Sequence, residues 1–163
     1  MIDTFRDFGN FTRLTFLAAF AFVTISVSAS GAAYIYHYEV TGTCEELTYG
    51  NANLTHVCED NILYIGYDDG RTDINVFAGD MIIVFSSQSE RDVGDQVERN
   101  IDRMSLGHRG DDLVTVIGRG TCLLASPFDG DPARFECTAR LKGDDPIHLI
   151  FMSDGVMPTD IAQ

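Results

Sequence analysis

The sequence predicts a mainly β protein, either an antiparallel β-sandwich or a small β-barrel, behind an N-terminal hydrophobic leader helix. Three observations favour this fold class: β-type runs alternate with turn sequences, the four cysteines are even in number, and an uncharged apolar segment lies near the N-terminus. A length of 163 residues is typical of one domain. We expect a leader at residues 1–29, a disulfide-stapled β domain at 30–157 and a frayed tail at 158–163.

The apolar segment Leu14–Ala29 carries no charge. It is shorter than the roughly 20 residues that span a bilayer, and this length is typical of a signal peptide. Small residues before position 30 predict cleavage after Ala29. The alternative is an uncleaved anchor of the inner membrane formed by residues 14–36, because the apolar run continues to Tyr36. Both readings place the remaining chain in the periplasm or outside the cell.

Each predicted strand is a short run rich in β-branched and aromatic residues that ends at a turn sequence. In the first run Tyr34, Tyr36, Tyr38 and Val40 share one face, because side chains alternate along a strand. Pro146 predicts an edge strand, since proline donates no ladder hydrogen bond. The later runs follow at intervals of about ten residues, as in sandwiches and barrels. They cover residues 54–58, 62–67, 73–77, 81–85, 113–117, 122–125, 133–141 and 147–152.

Residues 89–106 leave two readings open. Apolar residues recur there at helical spacing, which predicts an amphipathic helix through Val93, Val97, Ile101 and Met104. The same residues also fit an exposed linker followed by a strand at 101–106 that pairs with 113–117. Gly94 favours the second reading, because glycine inside a helix is unfavourable by about 1 kcal/mol relative to alanine.

The four cysteines are Cys44, Cys58, Cys122 and Cys137, and an even number behind an export leader predicts disulfides. Their spacing matches no zinc motif, and we expect no metal site. Four cysteines allow three pairings. One clue distinguishes them, because Gly-Thr-Cys occurs at 42–44 and again at 120–122, and each copy is followed by a returning run that ends in cysteine. If the chain consists of two weakly repeated halves, each half contains one disulfide that closes its own hairpin, Cys44–Cys58 in the first and Cys122–Cys137 in the second.

The charge of the exported part excludes one class of partner. Removal of residues 1–29 leaves 9 basic and 23 acidic side chains, a net charge of −14. Such a surface repels phosphate backbones, so we expect no nucleic-acid binding and no membrane contact beyond the leader. Basic proteins and cationic ligands remain electrostatically favourable partners.

The sequence contains no pattern that predicts catalysis or a cofactor. A Gly-x-Ser-x-Gly nucleophile elbow is absent from it, and the four histidines have no metal-ligand spacing. Aspartate pairs such as Asp68-Asp69 and Asp111-Asp112 fit turns better than a calcium loop. We therefore expect no catalytic, cofactor-binding or metal-binding residues. The only site residues that the sequence identifies are the four disulfide cysteines.

The order of these features resembles that of small uncharacterised exported proteins of Gram-negative bacteria with two disulfides and a β fold. The features are a leader, a Tyr-rich first strand, Gly-x-Cys with a later paired Cys, and the segment Asn-Ile-Leu-Tyr-Ile-Gly-Tyr-Asp-Asp-Gly-Arg at 61–71. The resemblance covers most of residues 30–155. It implies a periplasmic setting and no particular activity.

We therefore expect a non-catalytic exported β domain that serves as a binding or structural module. A sharper version is an acidic inhibitor that binds a basic secreted protein such as a lysozyme. One alternative is a β-barrel that binds a small ligand or a cation through the Tyr34–Tyr38 strand or the aspartate turns. A second is an enzyme, which would require a cleft with converging polar groups.

Overall fold

A computed structural model describes residues 32–143 and 146–162. The leader helix, the cleavage site after Ala29 and the bulk of a possible anchor lie outside these residues. Among the described residues, no helix is long and apolar enough to cross a membrane. Residues 34–36 already belong to the first strand, so the apolar anchor proposed for residues 14–36 would have to end before Tyr34.

The described chain is almost entirely β-structure. The single helical element is a short 3₁₀ turn at Thr55–Val57. The strands are β1 (Tyr34–Tyr49), β2 (Ala52–Asn53), β3 (Cys58–Tyr67), β4 (Thr72–Ala78), β5 (Met81–Val93), β6 (Gln96–His108), β7 (Val114–Ala125), β8 (Arg134–Leu141), β9 (Pro146–Ser153) and β10 (Thr159–Asp160).

Eight of these strands close into an antiparallel barrel in the order β1, β3, β4, β5, β6, β7, β8, β9, with β9 pairing back onto β1. The first half of β1 pairs with β3 and with the short β10, and its second half pairs with β9. Closure removes the unpaired edges that an open sheet would expose. The predicted small barrel is therefore confirmed.

Side chains fill the barrel, because alternate residues of every strand point inward. The bulkiest fully buried ones include three phenylalanines, Phe85, Phe135 and Phe151, and two of these, Phe135 and Phe151, meet edge to face with ring centroids 6.2 Å apart. Aliphatic side chains complete this core: Val40, Leu47, Ile62, Ile74, Val76, Ile83, Met104, Ile147 and Leu149. A barrel of eight strands has room for side chains and little else, so binding surfaces are expected at its ends and on its outer wall.

The helix predicted for residues 89–106 is wrong, and so is the linker predicted for their first part, because β5 and β6 form one long hairpin there. The predicted pairing of the strand at 101–106 with residues 113–117 is confirmed between β6 and β7. Gly94 supplies the turn with a φ of +67°. A bulged strand explains why the apolar residues of this segment recur at helical spacing. Val97 and Ile101 point inward at the normal alternation, and the ladder between β6 and β7 then shifts register between Ile101 and Arg103. The shift places Met104, three residues later, on the inner face.

Other predicted strands differ in their extent. Within the strand predicted at 54–58, residues 55–57 form the 3₁₀ turn and Cys58 begins β3. The Thr55 side chain holds this turn against Leu47: its Oγ1 accepts from the Leu47 amide at 2.9 Å and donates to the Leu47 carbonyl at 3.4 Å. The strands predicted at 113–117 and 122–125 are parts of one continuous strand, β7, which starts one residue later, at Val114.

Pro146 does not begin an edge strand, since β9 is paired on both sides in the closed barrel. The tail at 158–163 is not frayed over its described part. Thr159 and Asp160 pair with β1, and the Ile161 amide donates to the His37 carbonyl at 2.8 Å.

Both disulfides join the cysteines that the repeat predicted. Cys44–Cys58 links β1 to the start of β3 across a sequence separation of 14 residues, and Cys122–Cys137 links directly opposite residues of β7 and β8 across 15. In a chain-entropy treatment, loops of this size stabilise the fold by about 3 kcal/mol each. The disulfides are compatible with an oxidising, exported location.

The two glycines of the repeated Gly-Thr-Cys sequence, Gly42 and Gly120, both lie where a side chain would overlap the backbone of a neighbouring strand. A Cβ at Gly42 would lie 2.1 Å from the Met152 carbonyl oxygen, and a Cβ at Gly120 would lie 2.0 Å from that of Thr138. The neighbours are not equivalent, however. Gly120 faces the strand to which the next cysteine is bonded, whereas Gly42 faces β9 on the other side of β1. The duplication of the two halves therefore remains a hypothesis.

We predict that mild reduction of the native protein opens Cys44–Cys58 before Cys122–Cys137. Cys58 is only half-buried, whereas Cys122 and Cys137 are both 0% exposed, and a thiolate must reach a sulfur atom to attack it. Brief treatment with dithiothreitol, alkylation and peptide mass analysis will measure the order. Earlier alkylation of Cys122 and Cys137 would contradict the prediction.

Candidate ligand-binding site at the barrel mouth

One end of the barrel, here called the mouth, carries the connections at residues 68–71, 94–95, 126–133 and 154–158. At this end β5 extends beyond β4, and the first half of β1 extends beyond β9. The inward side chains near the mouth include tyrosines and an arginine as well as aliphatic groups, whereas those in the middle of the barrel are aliphatic or phenylalanine.

Four aromatic rings form a connected series along the mouth. Tyr36 and Tyr38 are stacked with centroids 5.5 Å apart, and Tyr36 also lies 5.5 Å from Tyr64 on β3. Phe128, from the connection between β7 and β8, meets Tyr38 edge to face at 5.1 Å. Such ring pairs contribute about 0.5–1.5 kcal/mol beyond their buried area, so the series forms a pre-arranged aromatic wall.

Gly66 makes room for this wall. It lies directly opposite Tyr36 in the β1–β3 ladder, and a Cβ at this position would be 2.2 Å from two atoms of the Tyr36 ring. The ring therefore lies flat against the glycine backbone. Tyr36 is held there by its ring contacts and by a weak hydrogen bond of 3.4 Å that it shares with the Thr72 hydroxyl.

A buried arginine lies behind the aromatic wall. The Arg99 guanidinium donates to the Tyr64 hydroxyl at 3.0 Å, is 5.8 Å from the centre of that ring, and forms an ion pair of 2.6 Å with Glu90. Its side chain is only 10% exposed. Burial raises the pKa of Tyr64 to about 12, although the positive charge of Arg99 opposes the shift. The Tyr64 hydroxyl therefore stays protonated at neutral pH.

A second arginine near the mouth is also neutralised. The Arg71 guanidinium forms two hydrogen bonds with the Asp102 carboxylate, at 2.8 and 3.0 Å, and a third with the Ser86 hydroxyl. The hydrogen bonds from Arg71 lower the pKa of Asp102. Neither Arg71 nor Arg99 therefore presents an uncompensated positive charge to a ligand at the mouth.

An apolar pocket of about 190 Å³ opens beside Tyr64. Its floor comes from inward residues of β6, β7 and β8, and its rim comes from the turn at Asp95 and from the connection after β7. The lining includes Val97, Leu124, Pro127, Phe128 and Phe135 as apolar groups, with Asp95 as the one carboxylate.

All four connections at the mouth carry aspartate. Three of the carboxylates are engaged in hydrogen bonds. Asp69 and Asp154 fix their own turns by accepting from the Arg71 and Val156 amides. Asp68 and Asp154 also hold distant chain by accepting from the Ala33 amide and the Thr41 hydroxyl. These bonds explain why aspartate is favoured in turns. The other three, Asp95, Asp129 and Asp131, have no hydrogen bond or ion pair within the part of the chain that the structure describes.

The structure separates most of the residues that the sequence singled out. The prediction that Tyr34 shares a face with Tyr36 and Tyr38 is wrong, because the ladder shifts register between Tyr34 and Tyr36, and Tyr34 packs instead on His37 and Tyr67. His148 lies opposite Thr48 and contacts Glu46 at 3.0 Å, far along β1 from His37. Within residues 32–143 and 146–162, no group of three or more His, Cys, Asp or Glu side chains is placed to hold a metal ion.

Sequence reasoning missed Arg99, Glu90, Asp95 and Phe128. The first three lie in the segment that had been read as a helix or a linker, and the correct hairpin brings them to the mouth. Alternation along β6 from Val97 would have placed Arg99 inside. Nothing in the sequence marks Phe128 as a partner of Tyr38.

Comparison with known proteins gave no match: no family model fits the chain, and no curated protein or solved structure is significantly similar to it. The residues of the mouth are therefore interpreted from their geometry alone.

We predict that Gly66→Ala lowers the free energy of unfolding by about 1–3 kcal/mol, because the new methyl group overlaps the Tyr36 ring. Denaturant titration will measure the loss, and the near-ultraviolet circular dichroism of the tyrosines should change with it. In a Tyr36→Ala background the same substitution should cost less, since the ring is gone. Equal losses in both backgrounds would refute the contact.

We also predict that stability falls as the pH rises from about 10 to about 12, in part through Tyr64. The folded state holds the Tyr64 proton more tightly than the unfolded chain, so this contribution is complete below the ordinary tyrosine pKa of 10.0 and is lost as the pH passes through the folded value. Thermal melts of the wild type and Tyr64→Phe across this range should show a shallower decline for the variant. Parallel declines would contradict the assignment.

Proposed function

We propose that this protein is an exported, periplasmic and non-catalytic binding module, and that its mouth receives a cationic group on an apolar stem presented by a basic partner protein. One observation carries the proposal. An apolar pocket and an aromatic wall lie together at the barrel end where all four connections bear carboxylates.

The size of the pocket favours a single side chain. Its volume of about 190 Å³ is close to that of a cavity of about 150 Å³ that binds benzene, and below the range of about 300–1,000 Å³ for drug-sized ligands. A lysine or arginine stem, or an aromatic side chain next to one, fits such a space. A large free metabolite would leave most of its surface in water.

The charges at the mouth favour a cation. Asp95 lies on the pocket rim, and Asp129 and Asp131 lie on the neighbouring connection between β7 and β8, which also carries Phe128. A cation over an aromatic face gains about 0.5–2 kcal/mol, more when water is excluded. Tyr64 and Phe128 are among the residues that line the pocket, so a bound cation would have aromatic rings within reach beside the carboxylates.

The net charge of −14 favours a basic protein over an isolated small cation. Electrostatic potentials of opposite sign on two proteins accelerate their association, and this acceleration falls steeply with ionic strength. A basic secreted enzyme, of which the lysozymes are one class, fits this description. The two disulfides and the apolar leader sequence support the periplasmic setting, because cytoplasmic proteins seldom retain disulfides.

The proposal predicts that Asp95→Asn weakens binding to a basic partner about tenfold, because one charge-assisted contact at the pocket rim is lost. The measurement is calorimetric titration of a panel of basic secreted proteins at about 0.05 M and about 0.5 M salt, where charge screening differs strongly. Asp111→Asn is the matched control, since it removes the same charge from the turn at the opposite end of the barrel. Binding by the control should change less than about twofold, within the reach of screened long-range electrostatics.

A small probe tests the pocket chemistry separately. Benzylamine should protect the native protein against thermal unfolding more than benzyl alcohol or benzoate does, and Leu124→Arg, which fills the pocket with a cation, should abolish the difference. No salt-sensitive binding to any basic protein, or equal effects of Asp95→Asn and Asp111→Asn, would overturn the proposed function.

A further inference from the structure

A second cavity, of about 290 Å³, lies beside the part of β5 that extends beyond β4. Thr72 and Ser87 are the last paired residues of these two strands at the mouth, and β5 then continues to Val93. The cavity shares no described lining residue with the apolar pocket beside Tyr64. We call it the polar cavity, because its lining includes Tyr36, Tyr67, Arg71, Gln88, Glu90 and Arg99.

Arg99 is incompletely hydrogen-bonded beside this cavity, although its side chain is only 10% exposed. Its hydrogen bond to Tyr64 and its closest contact with Glu90 both use Nη2. The buried Nε atom has no hydrogen-bond partner among the described residues. A buried donor without a partner costs free energy, and such donors in native proteins are usually paired. Arg99 therefore indicates a ligand that supplies a hydrogen-bond acceptor.

The charges around the polar cavity favour an uncharged ligand. Arg99 forms an ion pair with Glu90, and Arg71 forms one with Asp102. An anion would compete with these two carboxylates in the field of a chain whose net charge is −14. A cation would meet two guanidinium groups. An uncharged ligand leaves both ion pairs intact.

The lining also requires a ligand that both donates and accepts hydrogen bonds. The Arg99 guanidinium has only donors, the Glu90 carboxylate has only acceptors, and the Gln88 amide has both. Gln88 is exposed, and Glu90 is 58% exposed, so both side chains can still form new bonds. A hydroxyl group donates one hydrogen bond and accepts two. Neighbouring hydroxyls on one molecule can therefore bond to both members of the Arg99–Glu90 pair.

We propose that the polar cavity binds one sugar ring. The hydroxyls at the edge of the ring would bond to Gln88, Glu90 and Arg99, and its C–H face would pack on the ring of Tyr36 or Tyr67. The cavity volume lies near the lower limit of about 300 Å³ for small-molecule sites, which favours one ring over several.

Binding requires a small turn of the Arg99 guanidinium, because its Nε is enclosed in the free protein. Side-chain rotations of this kind are common at binding sites. The exposed Glu90 carboxylate can follow the turn without leaving water. This second site goes beyond the proposed function, since the basic partner protein would occupy the apolar pocket.

Calorimetric titration of the full-length protein with glucose, galactose and mannose tests the proposal. At least one of these sugars should bind with a Kd in the millimolar range. Gln88→Ala should weaken its binding about threefold or more, because one hydrogen bond is lost. Gln88 is exposed, so the variant should fold. Gln96→Ala is the matched control, since Gln96 lies on the same hairpin and lines neither cavity, and it should have no effect.

A charge substitution tests why the ligand is neutral. The wild type should prefer the neutral sugar to its uronic acid. Glu90→Gln should shift this preference at least about tenfold toward the acid, because Arg99 then lacks its carboxylate and can bind that of the ligand. Glu98→Gln breaks the ion pair with Arg91 on the same hairpin, and it should change the preference less than about twofold.

The sugar has two sources, a free monosaccharide or one unit of a glycan chain. Hexasaccharides of the sugar that binds distinguish them: an affinity gain beyond the statistical factor of about six identifies a glycan, and no gain beyond it identifies a free sugar. Asp95→Asn should leave sugar binding unchanged, so this site and the proposed function can fail separately. No binding of any of the three sugars, equal effects of Gln88→Ala and Gln96→Ala, or an unchanged preference in Glu90→Gln would overturn the proposal.

Discussion

The pairing of β1 with β3, β9 and β10 is the constraint on which the rest of the molecule depends. The first half of this 16-residue strand pairs with β3 and β10, and its second half pairs with β9, which closes the barrel. Closure aligns the inward faces of all eight strands, and the core, the buried disulfide and the aromatic wall follow from that alignment. Gly42 lies where β1 leaves β10 and meets β9, and its lack of a side chain permits the close approach of the Met152 carbonyl.

The sequence predicted the features that repeat with a simple period. Alternation and turn residues were sufficient for most strands, and the echo of Gly-Thr-Cys led to the disulfide pairing that the structure shows. Two of the failures have one physical origin, since a β-bulge changes the period locally. The register shift after Ile101 produced an apparent helix, and the shift after Tyr34 moved one tyrosine out of the mouth. A bulge depends on the neighbouring strand, which a single run of residues does not specify.

The candidate site was only partly predictable for a related reason. The tyrosines of β1 were recognised as a possible binding strand, and Tyr36 and Tyr38 do line the mouth. Their partners come from distant positions in the chain: Tyr64 on β3, Arg99 on β6 and Phe128 after β7. Only the strand order brings these groups together. The net negative charge, by contrast, was readable from composition, but the position of Asp95 at the rim of the pocket was not.

The short strand β10 brings the last described residues back to the first. The Ile161 amide bonds to His37, and the Asp68 turn holds Ala33 at the same end of the barrel. A protein joined directly to residue 32 or to residue 162 would consequently lie beside the aromatic wall and crowd it. A circular permutant, with a short linker between residues 162 and 32 and new ends in the turn at 109–113, would carry a fusion partner at the far end of the barrel and leave the mouth open.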